Sequence, residues 1–362
     1  MIDLIRSLAA FIVVLGILVT VHELGHYLVA RWRGVAIETF SLGFGPALLS
    51  RTDKHGTVWK LAAIPLGGYV RMKGWAELGG ETTGEGTPDS FRTKSLAARA
   101  AIVAAGPAAN MLLAFVLFTA IFATAGAPTV MPVVSQVMPN TPAAAIGIAK
   151  GDRITSIDGQ KVKSFEDIEK LISTRPDDRI AITYTHNGIA KGANLTTASH
   201  MVDGQRLGEL GIMGADVKLR RLAPPAAIRS GAIETYAAAA ATLDGLWNLV
   251  AHQKGVKNLG GPIRIAQISG QAASLGLADF ASFIALLSVN LGLINLVPIP
   301  ILDGGHLLFY AAEGLYGRAL PRKAQEIGLQ IGAALLASLL IFVTVHDLAH
   351  VGLFHFVSHL LG

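Results

Sequence analysis

Apolar residues along this chain are concentrated in four stretches, each long enough to cross a lipid bilayer. A helical span needs about 20 mostly apolar residues. The four stretches cover residues 4–30, 100–125, 277–297 and 327–345. A fifth stretch, residues 226–250, is interrupted by charged side chains and predicts an amphipathic helix instead. The pattern therefore predicts a polytopic α-helical membrane protein with about four transmembrane helices.

Between the second and third spans the pattern changes to the two-residue alternation of β-strands. Residues 130–137 and 180–185 alternate in this way, and residues 186–188 (His-Asn-Gly) supply a hairpin turn before residues 190–196. Residues 164–174 carry apolar side chains at helical spacing. We therefore expect a β-rich domain inserted into the membrane protein.

The segment between the first and second spans indicates the membrane topology. Residues 37–49 and 57–72 are rich in glycine and β-branched residues without a helical period, and they predict β-hairpins or loops. Residues 31–99 carry ten Lys/Arg. By the positive-inside rule this loop is cytoplasmic, so both chain termini and the β-rich domain lie on the outer side.

Composition narrows the chemistry. Apolar residues make up 52% of the chain and charged residues 15%, against roughly a quarter charged in soluble proteins. The net charge of +5 is too small and too scattered to indicate nucleic-acid binding. Cysteine is absent, which excludes disulfides, thiolate ligands and cysteine nucleophiles. Any metal is therefore held by histidine and carboxylate side chains.

The first span contains a metal-binding motif near its inner end, His22-Glu23-Leu24-Gly25-His26. Its two histidines are four residues apart, so on a helix both imidazoles can reach one metal ion. Glu23 can then accept a proton from water at that metal. A chance match is the alternative interpretation. It is weakened because ionisable residues inside an apolar helix cost several kcal/mol unless they are paired or bind a metal.

A catalytic zinc also needs a third protein ligand and one open coordination position. The best candidate is Asp303, in residues 295–306, which hold two prolines directly after the third span. Proline ends the helix, and irregular backbone at membrane depth occurs where it is buried in protein or lines a water-filled cavity. A simple helix-ending turn, with Asp303 in interfacial water, is the alternative interpretation.

Together these motifs resemble those of a known family. HExxH in the first span and N-x-x-P-x-P-x-L-D-G in residues 295–304 resemble the site-2 proteases, which are intramembrane zinc metalloproteases. The bacterial regulator-of-sigma-E protease branch is the most similar. The resemblance covers nearly the whole chain, and further matching segments are residues 42–46 (LGFGP), 65–70 (PLGGYV), 106–110 (GPAAN) and 260–263 (GGPI).

The resemblance implies zinc as the cofactor and a role for each motif residue. The implied zinc ligands are His22, His26 and Asp303. The implied general base is Glu23. The implied substrate-binding residues are Asn295, Pro298 and Pro300.

A strand edge near the metal is a second candidate for substrate binding. It involves Gly43, Phe44 and Gly45 together with the hairpin of residues 57–72. A helical substrate hides its peptide bonds in its own hydrogen bonds, whereas an unwound substrate backbone can pair with an exposed strand edge. A connector with glycine turns is the alternative interpretation.

The β-rich domain contains residues 142–159, which resemble a PDZ domain of the bacterial, circularly permuted kind. PDZ domains bind peptide ends by adding a strand to a sheet edge, which suits a partner-sensing role. A β-domain without a peptide ligand is the alternative. The best-known members of the branch carry two tandem PDZ domains, whereas this chain has room for one.

Other polar residues have no assigned chemistry. Asn110, near the start of the second span, can hydrogen-bond to the active site, but a contact between helices is the preferred interpretation. His306 and His252 are expected to be structural or solvated. The i,i+4 histidine spacing recurs at the C-terminus, where the topology predicts interfacial residues across the membrane from the motif. These residues are His346, His350, His355 and His359.

The chain is expected to divide into four segments. Residues 1–126 form the first half of the membrane core, 127–222 a periplasmic PDZ domain, 223–275 an amphipathic helix with a connector, and 276–362 the second half of the core.

The leading hypothesis is a zinc endopeptidase of the bacterial inner membrane that hydrolyses transmembrane substrates. By resemblance these are anti-sigma-factor-like proteins or remnant signal peptides, cut in regulated intramembrane proteolysis. The expected partners are single-span membrane proteins, a peptide ligand of the PDZ domain and the bilayer, without nucleic acid. The alternative is a non-catalytic PDZ-bearing membrane adaptor with a structural metal, a role that does not require Glu23.

Overall fold

The computed structural model describes residues 2–75, 86–202, 205–214, 216–252, 261–318 and 321–350. The chain divides into two compact units. One consists of Met1–Ile121 with Pro225–Gly362, and the other of Phe122–Pro224. We refer to them as the membrane unit and the inserted unit.

The described elements follow one another in this order. The first part of the chain forms α1 (Ile2–Trp32), β1 (Ile37–Thr52), β2 (Val58–Met72), a 3₁₀ turn (Phe91–Thr93) and α2 (Leu96–Thr124). The inserted unit contains β3 (Ala127–Val130), β4 (Val134–Val137), α3 (Pro142–Ala145), β5 (Arg153–Ile157), β6 (Gln160–Lys161), α4 (Phe165–Ser173), β7 (Arg179–His186), β8 (Ile189–Thr196), β9 (Ala198–Val202), β10 (Gln205–Glu209), β11 (Ile212–Gly214) and β12 (Val217–Arg220). The last part forms α5 (Pro224–His252), α6 (Pro262–Leu275), α7 (Leu277–Asn295), α8 (Asp303–Tyr316) and α9 (Arg322–His350).

Among the described helices, α1, α2, α7 and most of α9 are long and apolar enough to cross a membrane. Their outer faces expose large apolar side chains. In α9, for example, Leu340, Ile341 and Phe342 are 55%, 64% and 51% exposed. Such a surface is unfavourable in water and matches the hydrocarbon of a bilayer. The predicted class, a polytopic helical membrane protein with an inserted β-rich region, is confirmed.

The segment between α1 and α2 forms a small folded sheet instead of a flat hairpin. Residues 39–42 pair on one side with residues 68–71 and on the other side with residues 58–61, which in turn pair with residues 49–52. This arrangement is possible because β1 bends sharply at Gly43 and Gly45, whose φ values are +90° and +87°. Residues 39–42 are therefore interior, and residues 68–71 form one edge.

The inserted unit is a β-rich domain with its own apolar core. Its largest sheet has the strand order β6-β5-β7-β8. The side chains of Ile154, Ile157, Ile180 and Ile182 are at most 1% exposed, and those of α4 pack against the same core. Asn187 and Gly188, both with positive φ, join β7 to β8 as a two-residue hairpin turn. The predicted hairpin is confirmed at this position.

The segment predicted as one amphipathic helix with a connector contains two helices among its described residues, α5 and α6. Helix α5 packs beside α2, since a methyl group built on Gly231 would lie 2.2 Å from Oγ1 of Thr119. It also reaches α7, where Thr242 donates a hydrogen bond of 2.6 Å to Asn290. Helix α6 packs along α1, with Gly270 against Ser7.

The C-terminal end of α9 caps α6. The buried carboxylate of Asp347 accepts hydrogen bonds of 3.0 and 3.1 Å from the backbone N–H groups of Gly261 and Arg264. A carboxylate is favourable at a helix N-terminus because the backbone donors there have no partner within the helix. His355 and His359 lie outside the described residues, and so do the side chains of His346 and His350.

Candidate metal centre

The two motif histidines lie side by side because α1 is regular through the motif. His22 and His26 are each 8% exposed, and their rings meet edge to face with centroids 4.8 Å apart. The glycine between them lets α2 approach closely, since a methyl group on Gly25 would lie 2.3 Å from the carbonyl oxygen of Ala105. Helix period and close packing thus hold both imidazoles on the face of α1 that is turned towards α2.

Asp303 joins the two histidines from a point 277 residues beyond His26 in the chain. Nε2 of His22 lies 3.2 Å from Nε2 of His26 and 3.1 Å from Oδ2 of Asp303. Oδ1 of Asp303 lies 3.6 Å from Nε2 of His26. The three side chains therefore direct their ligand atoms to a common point.

These separations fit a zinc ion. Ligand atoms placed 2.0–2.2 Å from a tetrahedral ion are roughly 3.3–3.6 Å apart, close to the observed spacings. Oδ2 of Asp303 is buried without a hydrogen-bond partner among the described residues, which is unfavourable unless a cation compensates it. Two imidazoles and one carboxylate also match the donor preference of a catalytic zinc site with one open position.

The second ring nitrogen of each histidine is oriented by α2. Nδ1 of His26 donates to the carbonyl oxygen of Ile102 at 2.9 Å, which leaves Nε2 free for a metal. The side-chain amide of Asn110 lies 3.3 Å from Nδ1 of His22. A metal on Nε2 requires a proton on Nδ1, so the acceptor facing His22 is Oδ1 of Asn110. With the amide nitrogen towards His22 instead, Oδ1 is buried without a hydrogen-bond partner among the described residues, so the flipped amide is favoured.

Gly106 of α2 lies directly against both imidazoles. A methyl group built on its Cα would lie 2.3 Å from Nε2 of His26 and 2.9 Å from Cε1 of His22. Real Cβ atoms do not approach ring atoms this closely. The first glycine of the GPAAN segment is therefore required by the space that the two histidines occupy.

The Asp303 loop is folded tightly onto the helix that follows it. Asp303 is the first residue of α8, and the glycines after it are packed against the loop backbone. Methyl groups on Gly304 and Gly305 would lie 2.2 and 2.4 Å from the carbonyl oxygens of Leu296 and Ile299. Ile301 has a φ of +100°, which is strained for a β-branched residue. Such strain is common at functional sites.

A cavity of about 500 Å³ opens beside the three ligands. Glu23 lines it next to the histidines, as a general base requires. Asn295 and Phe44 also line the cavity. The side-chain amide of Asn295 lies 3.4 Å from Nε2 of His22. Gly43, Gly45, Pro298 and Pro300 are not among the described lining residues, and Pro300 instead packs against glycines of α9.

The strand edge at the cavity is formed by β2. Residues 67–70 and Met72 line the cavity, and a methyl group on Gly68 would lie 3.6 Å from Cγ of Glu23. Gly67 has a φ of +124° and lies against the ring of Phe44. Residues 39–42 are interior to the sheet, and its edge at the cavity is formed by residues 68–71, which belong to the hairpin of residues 57–72 expected there.

Two site residues were missed by sequence reasoning. Asn110 was expected to make a contact between helices. It does so through its backbone carbonyl, which accepts from Ser288, but its amide also reaches His22. His306 was expected to be structural or solvated, yet it lines the cavity one turn after Asp303 and packs against Trp75. The i,i+3 spacing from Asp303 was a usable signal for His306.

A comparison with protein families identifies the chain. Residues 10–339 match the model of peptidase family M50. The chain belongs to peptidase family M50. A protein from Rhizobium meliloti, whose name provisionally assigns it to the zinc metalloproteases, is 40% identical over 94% of this chain and 96% of its own. The regulator of sigma E protease of Salmonella typhi is 30% identical over 96% of this chain and 99% of its own.

Family membership gives the protein its activity and cofactor. It is a membrane zinc metalloprotease, related to the regulator of sigma-E proteases. This finding favours the predicted enzyme over the non-catalytic adaptor. Among solved structures, the crystal structure of a PDZ domain from a Listeria monocytogenes SdrC-like protein is similar, with 27% identity and a TM-score of 0.21. The similarity covers 24% of this chain and 87% of that structure.

Proposed function

We propose that this M50 peptidase cuts single-span membrane proteins at a zinc site formed by His22, His26 and Asp303. The observation that carries the proposal is the convergence of these three ligand atoms within 4.8 Å of one another, with both histidines on α1, a helix apolar enough to cross a bilayer. Metal ligands inside an apolar helix are costly unless they serve a function. A metal site at this position acts on substrates that remain in the membrane.

Each side chain of the site has a chemical task. His22, His26 and Asp303 would hold a zinc ion, which would supply Lewis-acid chemistry to the carbonyl of the scissile bond. Glu23, on the cavity wall beside the histidines, accepts the proton of the attacking water and passes it to the leaving amine nitrogen. The amide of Asn295, 3.4 Å from Nε2 of His22, donates a hydrogen bond to the substrate carbonyl at the metal.

Residues 68–71 bind the substrate backbone as an added strand. A transmembrane helix must unwind before its peptide bonds reach a catalytic centre, and an unwound segment needs new backbone partners. This edge lies in the cavity and next to Glu23, so pairing along it brings a peptide bond to the metal. The roles predicted for Gly43, Gly45, Pro298 and Pro300 remain predictions.

The inserted unit serves a regulatory role outside the membrane. It is a PDZ domain that binds a peptide end by strand addition, with the termini on the same periplasmic side and the active site towards the cytoplasm. The substrates of the peptidase are anti-sigma-factor-like proteins or remnant signal peptides, cut in regulated intramembrane proteolysis. The support for this is the regulator-of-sigma-E relatives and the basic residues of the loop before α2.

The test is a Glu23→Gln variant of the full chain, purified in detergent and reconstituted with a single-span substrate. Glutamine keeps the size of the side chain but cannot act as a base, so zinc content stays at the wild-type level while cleavage falls by at least about a hundredfold. A Glu38→Gln variant, in β1, serves as a control with unchanged cleavage. Wild-type cleavage by Glu23→Gln would exclude the proposed role of Glu23.

A further inference from the structure

A largely buried ion pair with two hydrogen bonds joins α8 to α2. Arg99 of α2 donates two hydrogen bonds to the carboxylate of Glu313, from Nη1 at 3.2 Å and from Nη2 at 2.6 Å. The side chains are only 16% and 18% exposed. Bidentate geometry fixes both the distance and the orientation of the two groups, and burial protects the pair from screening.

The contact around this pair holds α8 firmly on α2. The guanidinium of Arg99 lies 5.0 Å from the ring centre of Tyr310, one turn before Glu313. Next to it, a methyl group on Gly314 would lie 3.2 Å from a methyl of Leu96. The C-terminal half of α8 is thus fixed to the first turn of α2 by charge, by a ring and by close packing.

The same helix carries Asp303 at its first position. Through Gly304 and Gly305 the preceding loop is folded onto the first turn of α8, so the loop and the helix move together. A helix of 14 residues is a rigid rod, and fixing its far end sets the position of its first residue. The place of Asp303 therefore depends on the attachment of α8 to α2.

Helix α2 also orients the other two ligands. Its residues Ile102 and Asn110 contact Nδ1 of His26 and Nδ1 of His22, respectively. Arg99 lies on the same face of the helix, because Ile102 and Asn110 follow it at i+3 and i+11. One face of α2 thus contacts both the histidines of α1 and the helix that carries Asp303, which are separated by most of the chain.

We infer that Arg99 and Glu313 are positioning residues for the third zinc ligand. The inference rests on the proposed ligand set, since it requires Asp303 to bind the metal. Removing one partner leaves a buried charge unpaired and frees α8 to shift, which displaces Asp303 from the two histidines. The predicted consequence is weaker zinc binding while His22 and His26 stay in place.

The experiment measures zinc affinity by competition with a chelator on the full chain in detergent. Arg99→Gln and Glu313→Gln are each expected to weaken zinc binding by at least about tenfold, the usual lower bound for residues that orient a ligand. The double variant Arg99→Glu with Glu313→Arg exchanges the two charges, and we expect it to recover most of the lost zinc affinity. The control is Lys73→Gln, which breaks the 3.0 Å pair with Asp89 and leaves α8 untouched.

A double-mutant cycle separates positioning from general destabilisation. In an Asp303→Ala background, Arg99→Gln has no ligand left to position, so it is expected to change zinc affinity by less than about twofold. Unchanged zinc affinity in both Arg99→Gln and Glu313→Gln would overturn the inference. An Arg99→Gln loss in the Asp303→Ala background equal to the loss in the wild-type background would also overturn it, and neither result would affect the proposed ligand set. Wild-type zinc affinity in Asp303→Ala itself would overturn the proposed ligand set, and the inference with it.

Discussion

At the scale of single residues, the metal centre depends on the space between two helices as much as on its ligands. Gly25 and Gly106 face each other's helices, and each leaves less than 3 Å for a methyl group. The zinc ligands can converge only because both positions lack a side chain. Small residues at such contacts are common between membrane helices, where close packing replaces the hydrophobic effect as the driving force.

We predict that Gly106→Ala loses zinc. Its methyl group would lie 2.3 Å from Nε2 of His26, so the imidazole has to move by about 1 Å and leaves the ligand geometry. We expect less than about a tenth of the wild-type zinc content after dialysis against a weak chelator, measured by metal analysis.

The control for this variant is Gly16→Ala in α1, where the added methyl group meets no atom within 4 Å among the described residues, apart from the neighbouring backbone of α1 itself. It is the same change in a membrane-spanning helix and should retain full zinc occupancy. Equal zinc content in both glycine variants would show that the close approach of Gly106 to the histidines is not needed for binding.

At the scale of elements, the inserted unit holds α4 by a capping box. Ser164 accepts a hydrogen bond from the backbone N–H of Asp167, and the carboxylate of Asp167 accepts from the N–H groups of Lys163 and Ser164. Burial raises the pKa of Asp167, but these hydrogen bonds outweigh it, so its pKa lies below the usual value of 3.8. The ionised carboxylate therefore stabilises the start of α4.

We predict that Asp167→Asn destabilises the inserted unit by about 0.5–1 kcal/mol at neutral pH. A lowered folded-state pKa contributes stability that is present above the unfolded pKa of about 3.9 and is lost as the pH falls through the lower folded value. The gap between wild type and variant should thus close in acid. Thermal unfolding of the full chain from pH 7 to pH 2.5 measures it.

Glu169→Gln, an exposed change in the middle of the same helix, is the comparison for this measurement. It should leave the unfolding midpoint nearly unchanged at both ends of the pH range. A stability gap for Asp167→Asn that persists at pH 2.5 would contradict the assignment of the effect to the ionised carboxylate.

The folded sheet shows what the residue pattern did not determine at this scale. Glycine and β-branched content without a helical period predicted β-hairpins or loops over residues 37–49 and 57–72, and strands β1 and β2 lie there. The pattern did not show that β1 and β2 each fold back, which makes residues 39–42 interior and residues 68–71 the edge. That outcome depends on pairing between distant parts of the two strands, which a local alternation does not specify.

At the scale of the whole molecule, the proposed topology places the inserted unit and the β1–β2 turn on opposite sides of the membrane, separated by α2, one of the candidate spans among the described residues. The absence of cysteine makes this testable, because any introduced cysteine is the only thiol in the protein. We predict that Lys191→Cys, exposed in the inserted unit, reacts with a membrane-impermeant maleimide added to intact spheroplasts. Lys54→Cys, at the tip of the β1–β2 turn, should react only after the membrane is opened.

Cleavage of the model substrate by each cysteine variant is the control for this experiment, since neither position lines the cavity. Labelling of Lys54→Cys in intact spheroplasts, with Lys191→Cys protected, would reverse the proposed orientation. It would leave the zinc site unaffected, because topology and ligand geometry are independent properties.

The local features of this protein were determined by its sequence. The period of the α-helix alone brings His22 and His26 to one face, and the length of the apolar runs alone predicts the spans. Turn chemistry at Asn187 and Gly188 fixed the hairpin of the inserted unit. Each of these depends on residues that are neighbours in the chain, so the physical cause is visible in a short window.

The tertiary structure decided everything that joins distant residues. The packing of α8 and its glycine loop brings Asp303 to the histidines. Helix α2 joins the two halves of the site, because Ile102 and Asn110 contact the histidines and Arg99 binds Glu313 of α8. Such contacts require that helices approach so closely that no methyl group fits between them at Gly25 and Gly106, and that one loop residue adopts a strained φ. Those conditions arise from the summed packing of many side chains, which no local pattern encodes.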